Sequence, residues 1–104
     1  MLDALFAASS SDADIRQNSV SFSDLESIIA KLPKPVSAAK ALEPAENIRV
    51  IAEIKRASPS MGELAKIDDV QSLAATYEAA GASAISVLTE RTGFRGSLLD
   101  LQQA

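Results

Sequence analysis

A carboxylate and an ammonium stand two positions apart at the end of a short apolar run. The run is Val50-Ile51-Ala52-Glu53-Ile54-Lys55, and Arg56 follows it. Side chains alternate along a strand, so Ile51, Glu53 and Lys55 share one face, and Val50, Ala52 and Ile54 share the other. The two charges then lie roughly 6.5 Å apart along the strand. They fall at its C-terminal end, which faces the ligand crevice in parallel α/β folds. Charge at a strand end also marks where the strand meets water, and Lys55 and Arg56 fit that description equally well. Glu53 weighs the other way. It lies inside the run, before Ile54, and strand interiors disfavour glutamate. A buried carboxylate needs a partner or a task.

Two further groups lie near strand ends. Ser58-Pro59-Ser60 supplies hydroxyls and a rigid turn, which suit an anionic or hydroxylated ligand, although such a triplet is first of all a turn. Phe94, between Gly93 and Gly96, is one of only four aromatic residues. A loop phenylalanine ordinarily caps a core; on a ligand side it forms a platform for an aromatic ring. Gly62-Glu-Leu-Ala-Lys66 is no phosphate-binding P-loop, since the glycine spacing and the Lys-Ser/Thr pair are missing.

The elements that position these residues follow from periodicity. Ile48–Lys55 reads as a strand and Ala57–Gly62 as a loop. Residues 67–80 read as a helix, with Asp68 or Asp69 as cap, Val70, Leu73, Ala74 and Tyr77 on one face, and Gly81 as the left-handed stop. Ala82–Thr89 is a second apolar strand, Glu90–Gly96 a loop, and Ser97 caps a final helix. The strands begin roughly 35 residues apart, the size of one βαβ unit. Their near-continuous apolar character fits a parallel sheet covered on both faces. Residues 1–47 differ. Leu2, Leu5 and Phe6 predict a short amphipathic helix, interrupted by the Ser/Asp-rich run at 9–14. Ser23 and Glu26 fit a capping box for a second helix with Leu25, Ile28, Ile29 and Leu32 on one face, ended by Pro33 and Pro35. Alanines before Pro44 suggest one more helical turn. The expected domains are a helical N-terminal extension, 1–47, and a βαβα portion, 48–104.

Composition narrows the function classes. Ten basic and 14 acidic residues give a net charge of −4, without the basic face that nucleic acid requires. There is no cysteine and no histidine, so disulfides, thiolate or imidazole metal sites and histidine-based triads are excluded. The first residues lack the basic start and long apolar centre of a signal peptide, and no stretch reaches membrane-spanning length. No membrane partner and a cytoplasmic location are therefore expected.

Val50–Gly62, Tyr77–Glu90 and Phe94–Leu101 together resemble the indole-3-glycerol-phosphate synthase family of tryptophan biosynthesis, with spacing intact. The block Glu53-Ile-Lys-Arg-Ala-Ser-Pro-Ser60 carries most of the likeness, and residues 1–47 look like that family's helical extension. Met61 departs from the basic residue usual there. The resemblance implies an α/β fold, the N-terminal part of a (β/α)8 TIM barrel: the extension, packed over the active-site mouth, plus the first βαβ unit, incomplete. It implies a carboxy-lyase that closes the indole ring of 1-(2-carboxyphenylamino)-1-deoxyribulose 5-phosphate, releasing carbon dioxide and water, with no metal and no organic cofactor. By position it gives Lys55 the substrate carboxylate and a share in proton transfer, and Glu53 the sugar hydroxyls or the lysine. It also implies that Ser58, with Pro59 and Ser60, contacts substrate and that Phe94 walls the anthranilate ring.

A barrel of this kind takes roughly 250 residues and eight strands. The resemblance implies that the third strand with its general-acid lysine, the general-base glutamate and the phosphate-binding loops would follow residue 104. The expectation is an N-terminal fragment, inactive alone, that either self-associates or needs a complementary C-terminal barrel fragment. The alternative from another class is a non-catalytic module that binds a phosphorylated ligand or completes a partner's barrel. Phosphoribosylanthranilate isomerase chemistry is disfavoured, because it calls for a cysteine.

Overall fold

The computed structural model describes residues 1–104. Two compact units, Met1–Val36 and Ser37–Ala104, make up the chain. In the first, α1 (Leu2–Ser19) is a single helix of 18 residues that runs straight through the Ser/Asp-rich stretch expected to interrupt it. Serine and aspartate cost only about 0.5 kcal/mol each in a helix, too little to interrupt α1, which ends where Val20 turns extended. α2 (Phe22–Ile29) starts earlier than expected. Its capping box is Ser21–Asp24, not Ser23–Glu26: the Ser21 amide donates to Asp24 Oδ2 at 2.9 Å, and the Asp24 amide donates to Ser21 Oγ at 3.1 Å. Val20 is already extended, so the upstream Ser-x-x-Asp takes the cap first.

The second unit carries the strands. α3 (Ala38–Ala41) is one turn capped by Ser37. β1 (Ile51–Ile54) and β4 (Ala84–Val87) pair in parallel, with Ile51 opposite Ala84 and Ile54 opposite Val87. Between them runs α4 (Val70–Ala79), with Asp69 as cap, accepting the Ser72 amide at 3.0 Å. Gly81, at φ +97°, follows the helix end as expected. The segment expected as a plain loop contains a small antiparallel hairpin, β2 (Ala57–Ser58) with β3 (Gly62–Glu63). α5 (Leu98–Gln103) closes the unit under the Ser97 cap.

The core lies between α4 and one face of the strand pair. Ile54, Val70 and Ala74 are buried, and Ile67, Leu73, Tyr77, Ile85 and Val87 pack around them. The opposite face was expected to be covered as well, and it is not: Ile51 is 55% exposed. Parallel register places Ser86 opposite Glu53, and alternation puts both on this open face with Ile51 and Ala84. α4 packs on one side only, so the apolar character of the strands exceeds what this unit buries. Each strand also keeps one unpaired edge.

Candidate functional site

β1 ends by aiming two charges to one side. Lys55 Nζ lies 3.2 Å from Glu53 Oε1, an ion pair across the alternation that separates them by two residues. Glu53 was expected to be buried; its side chain is 45% exposed, because nothing in this unit covers that face. Glu53 and Lys55 also border a cavity of about 390 Å³ whose other walls, Lys66, Asp69 and Tyr77 among them, belong to α4 and the segment before it, so this cavity is distinct from the open face. Asp69 is the α4 cap, and hydrogen bonds from the Ser72 hydroxyl and amide hold its carboxyl below the ordinary value. An ammonium has three donors and Glu53 takes one, so Lys55 can engage a further anion.

The other expected residues stand apart from this cavity. Ser58 is in β2, and its hydroxyl accepts the Met61 amide at 3.2 Å, closing the hairpin turn. Pro59 and Ser60 are exposed in that turn. Phe94 is half-buried, and its carbonyl accepts the Ala57 amide at 3.2 Å, which ties its loop to β2. Ser58 and Phe94 are thus joined through backbone, while Glu53 and Lys55 are joined through side chains. No group of three or more His, Cys, Asp or Glu side chains is placed to hold a metal ion.

Three residues missed at sequence level shape the site. Arg56 does not simply meet water. Its Nε and Nη2 donate to Asp100 Oδ2 and Oδ1 at 3.1 and 2.8 Å, and Nη1 donates to the Ile67 carbonyl at 2.6 Å. Asp100 is only 7% exposed. The Arg56 hydrogen bonds hold its carboxyl below the ordinary value against the pull of burial, and the same bonds raise Arg56 further. Arg56 therefore fastens the end of β1 to α5 and to the segment before α4, on the residue next to Lys55. Glu90 is the third. Burial pushes its carboxyl up, but the amides of Thr92, Gly93 and Phe94 outweigh this and hold it below the ordinary value. The signal for Asp100 was its place three residues after a capping serine; its partner 44 residues earlier leaves no local trace.

Comparison with known proteins agrees with the motif. The family model for indole-3-glycerol phosphate synthase matches residues 2–104. The indole-3-glycerol phosphate synthase of Leifsonia xyli subsp. xyli is 50% identical over 102 residues, covering 98% of this chain and 39% of the relative. Those of Mycolicibacterium gilvum and Streptomyces griseus are each 46% identical, over 97% and 98% of this chain and 37% and 38% of their own lengths. The chain therefore spans well under half the length of the curated relatives it matches. A family model that covers nearly every residue, with relatives about half identical over nearly the whole chain, shows that the chain belongs to the indole-3-glycerol phosphate synthase family.

Proposed function

We propose that this chain forms the first part of a (β/α)8 barrel, the helical extension plus the first βαβ unit, of a decarboxylating indole-3-glycerol-phosphate synthase acting in cytoplasmic tryptophan biosynthesis. The phosphorylated substrate is 1-(2-carboxyphenylamino)-1-deoxyribulose 5-phosphate. The observation that carries the reading is the Glu53–Lys55 ion pair, 3.2 Å long, at the C-terminal end of a parallel strand and on its open face. In a barrel that face points inward and that end is the catalytic mouth.

Each residue then has a chemical task. Lys55 binds the carboxylate on the anthranilate ring and holds the ring carbon that bears it against the sugar carbonyl. A proton delivered to that carbonyl oxygen as the new carbon–carbon bond forms keeps charge from accumulating there. Loss of carbon dioxide returns the electron pair to the ring, and loss of water completes the indole. Glu53 aims Lys55 and accepts from the sugar hydroxyls. Ser58, with Pro59 and Ser60, contacts the substrate from the hairpin, and Phe94 stacks on the anthranilate ring. Arg56, turned to the opposite side, keeps the strand end rigid beneath Lys55.

On this reading the chain alone lacks turnover, because two strands do not enclose a substrate. The test is reassembly with a C-terminal barrel fragment made from the Leifsonia xyli relative. Indole fluorescence should appear on mixing with substrate and be absent from either part alone. Turnover by the isolated chain, or none on reassembly with a folded partner, would overturn the reading. Substrate-analogue binding by the chain without rescue would favour the non-catalytic module.

A further inference from the structure

We propose that Glu90 is the positioning residue of this site: its carboxylate holds the loop after β4 in one shape and thereby sets where Phe94 and Ser58 stand. The carboxylate is saturated by its own loop. Oε1 accepts the Thr92 amide at 2.7 Å, and Oε2 accepts the Gly93 and Phe94 amides at 2.7 and 3.1 Å. The Glu90 carbonyl accepts the Gly96 amide at 2.9 Å, so both ends of the loop close on one residue. Amide-to-carboxylate bonds are charge-assisted and roughly twice as strong as neutral ones.

The loop needs such a clamp. Arg95 sits at φ +55°, a left-handed conformation that is unfavourable for a non-glycine residue and persists only where its surroundings over-determine it. On its far side Gly96 is pressed against the end of β4, where an added Cβ would lie 1.7 Å from the Leu88 carbonyl oxygen. Between the bound amides and that contact, Arg95 has no freedom to relax. The clamped loop then holds the hairpin. The Phe94 carbonyl accepts from Ala57, which is 1% exposed, and Arg95 Nη1 lies 3.4 Å from Glu63 Oε2 on β3. Ser58 follows Ala57, so the two expected binding groups that are far apart in sequence, Ser58 and Phe94, are registered through Glu90.

The same saturation separates Glu90 from catalysis. A carboxylate held ionised by three amides is a poor proton acceptor. The assignment rests on the synthase reading insofar as Phe94 and Ser58 are taken to meet substrate.

Amide hydrogen exchange on the whole chain tests it. In E90Q one carboxylate oxygen becomes an NH₂ and the charge is lost, so exchange should rise by at least about tenfold at one or more of the Thr92, Gly93 and Phe94 amides, whichever way the side-chain amide turns. The Leu88 amide, bonded to the Ile54 carbonyl at 3.1 Å, reports the strand pair in the same spectrum and should not change. E90D keeps the charge, and a short carboxylate reaches amides two and three residues on, so protection at Thr92 and Gly93 should return. Wild-type exchange at all three amides in E90Q would overturn the proposal. If E90Q loosens Leu88 as well, E90D decides: a firm strand pair with firm loop amides supports the clamp, and a firm pair with loose amides overturns it. No substrate is involved, so a negative result removes the role of Glu90 and leaves the synthase reading standing. Failure of reassembled turnover does the reverse.

Discussion

Replacing Asp100 by asparagine removes one negative charge from its enclosed ion pair with Arg56. Asp100 is 7% exposed and takes two hydrogen bonds from Arg56, whose side chain is 28% exposed and which also donates to the Ile67 carbonyl. Breaking a fully buried pair by changing one partner costs about 3–5 kcal/mol. Arg56 reaches water along part of its length, and asparagine keeps one acceptor, so the expected loss is about 2 kcal/mol. A chain of this size has roughly 5–15 kcal/mol in all, and large exposed apolar surface places this one toward the lower end. The loss should therefore appear as a clear fall in the urea midpoint, followed by circular dichroism, with the slope unchanged. The double variant R56M/D100L, which removes both charges, should recover most of it, because two well-packed apolar groups leave no stranded ion. If D100N unfolds within about 0.5 kcal/mol of wild type, the pair is no staple, and the rigid support assigned to the end of β1 fails with it.

Ile54→Ala opens a cavity between α4 and the strand pair at a residue 2% exposed, and should cost about 3 kcal/mol in the same experiment. Gly96→Ala drives a Cβ into the Leu88 backbone, and a loss of about 3 kcal/mol, near the top of the overpacking range, is expected in its thermal melt. Asp24, Asp69, Glu90 and Asp100 all have carboxyl groups held below their ordinary values, 3.8 for aspartate and 4.5 for glutamate. As pH falls the unfolded chain takes up their protons first. Stability should therefore be level above about pH 6 and fall as pH drops through the ordinary carboxylate range, and D100N should flatten that fall in an acid titration.

The parts of the fold legible in the sequence were those written in local periodicity. The alternation of Ile51, Glu53 and Lys55 gave a shared side, and the two charges meet there. The Val70–Tyr77 spacing gave the buried face of α4, and caps were legible at Ser97 and at Asp68 or Asp69, of which Asp69 is the one used. Punctuation was harder to place. Ser23–Glu26 and Ser21–Asp24 are both acceptable boxes, and only the extended Val20 decides between them. The run at 9–14 looked like a break because serine and aspartate favour turns, yet their helix cost is too small to stop α1. Long-range pairing was not legible at all. Arg56 and Asp100 are 44 residues apart, and Glu90 spends its carboxylate on amides that carry no residue-type signature. Burial of Glu53 was misjudged because an apolar strand says what its faces want, and not what this unit supplies to cover them.

The central claim is that the amine at position 55 acts on the substrate from the rim of β1. Steady-state turnover of the reassembled enzyme tests it most directly, comparing Lys55→Met with Lys66→Met, an exposed lysine lining the same cavity. Loss of a preorganised charge at the reacting centre lowers kcat by about 10²–10³, so the Lys55 variant should fall by that factor while the Lys66 variant stays within about twofold of wild type. Full activity in Lys55→Met, with the reassembled barrel folded, would contradict the claim.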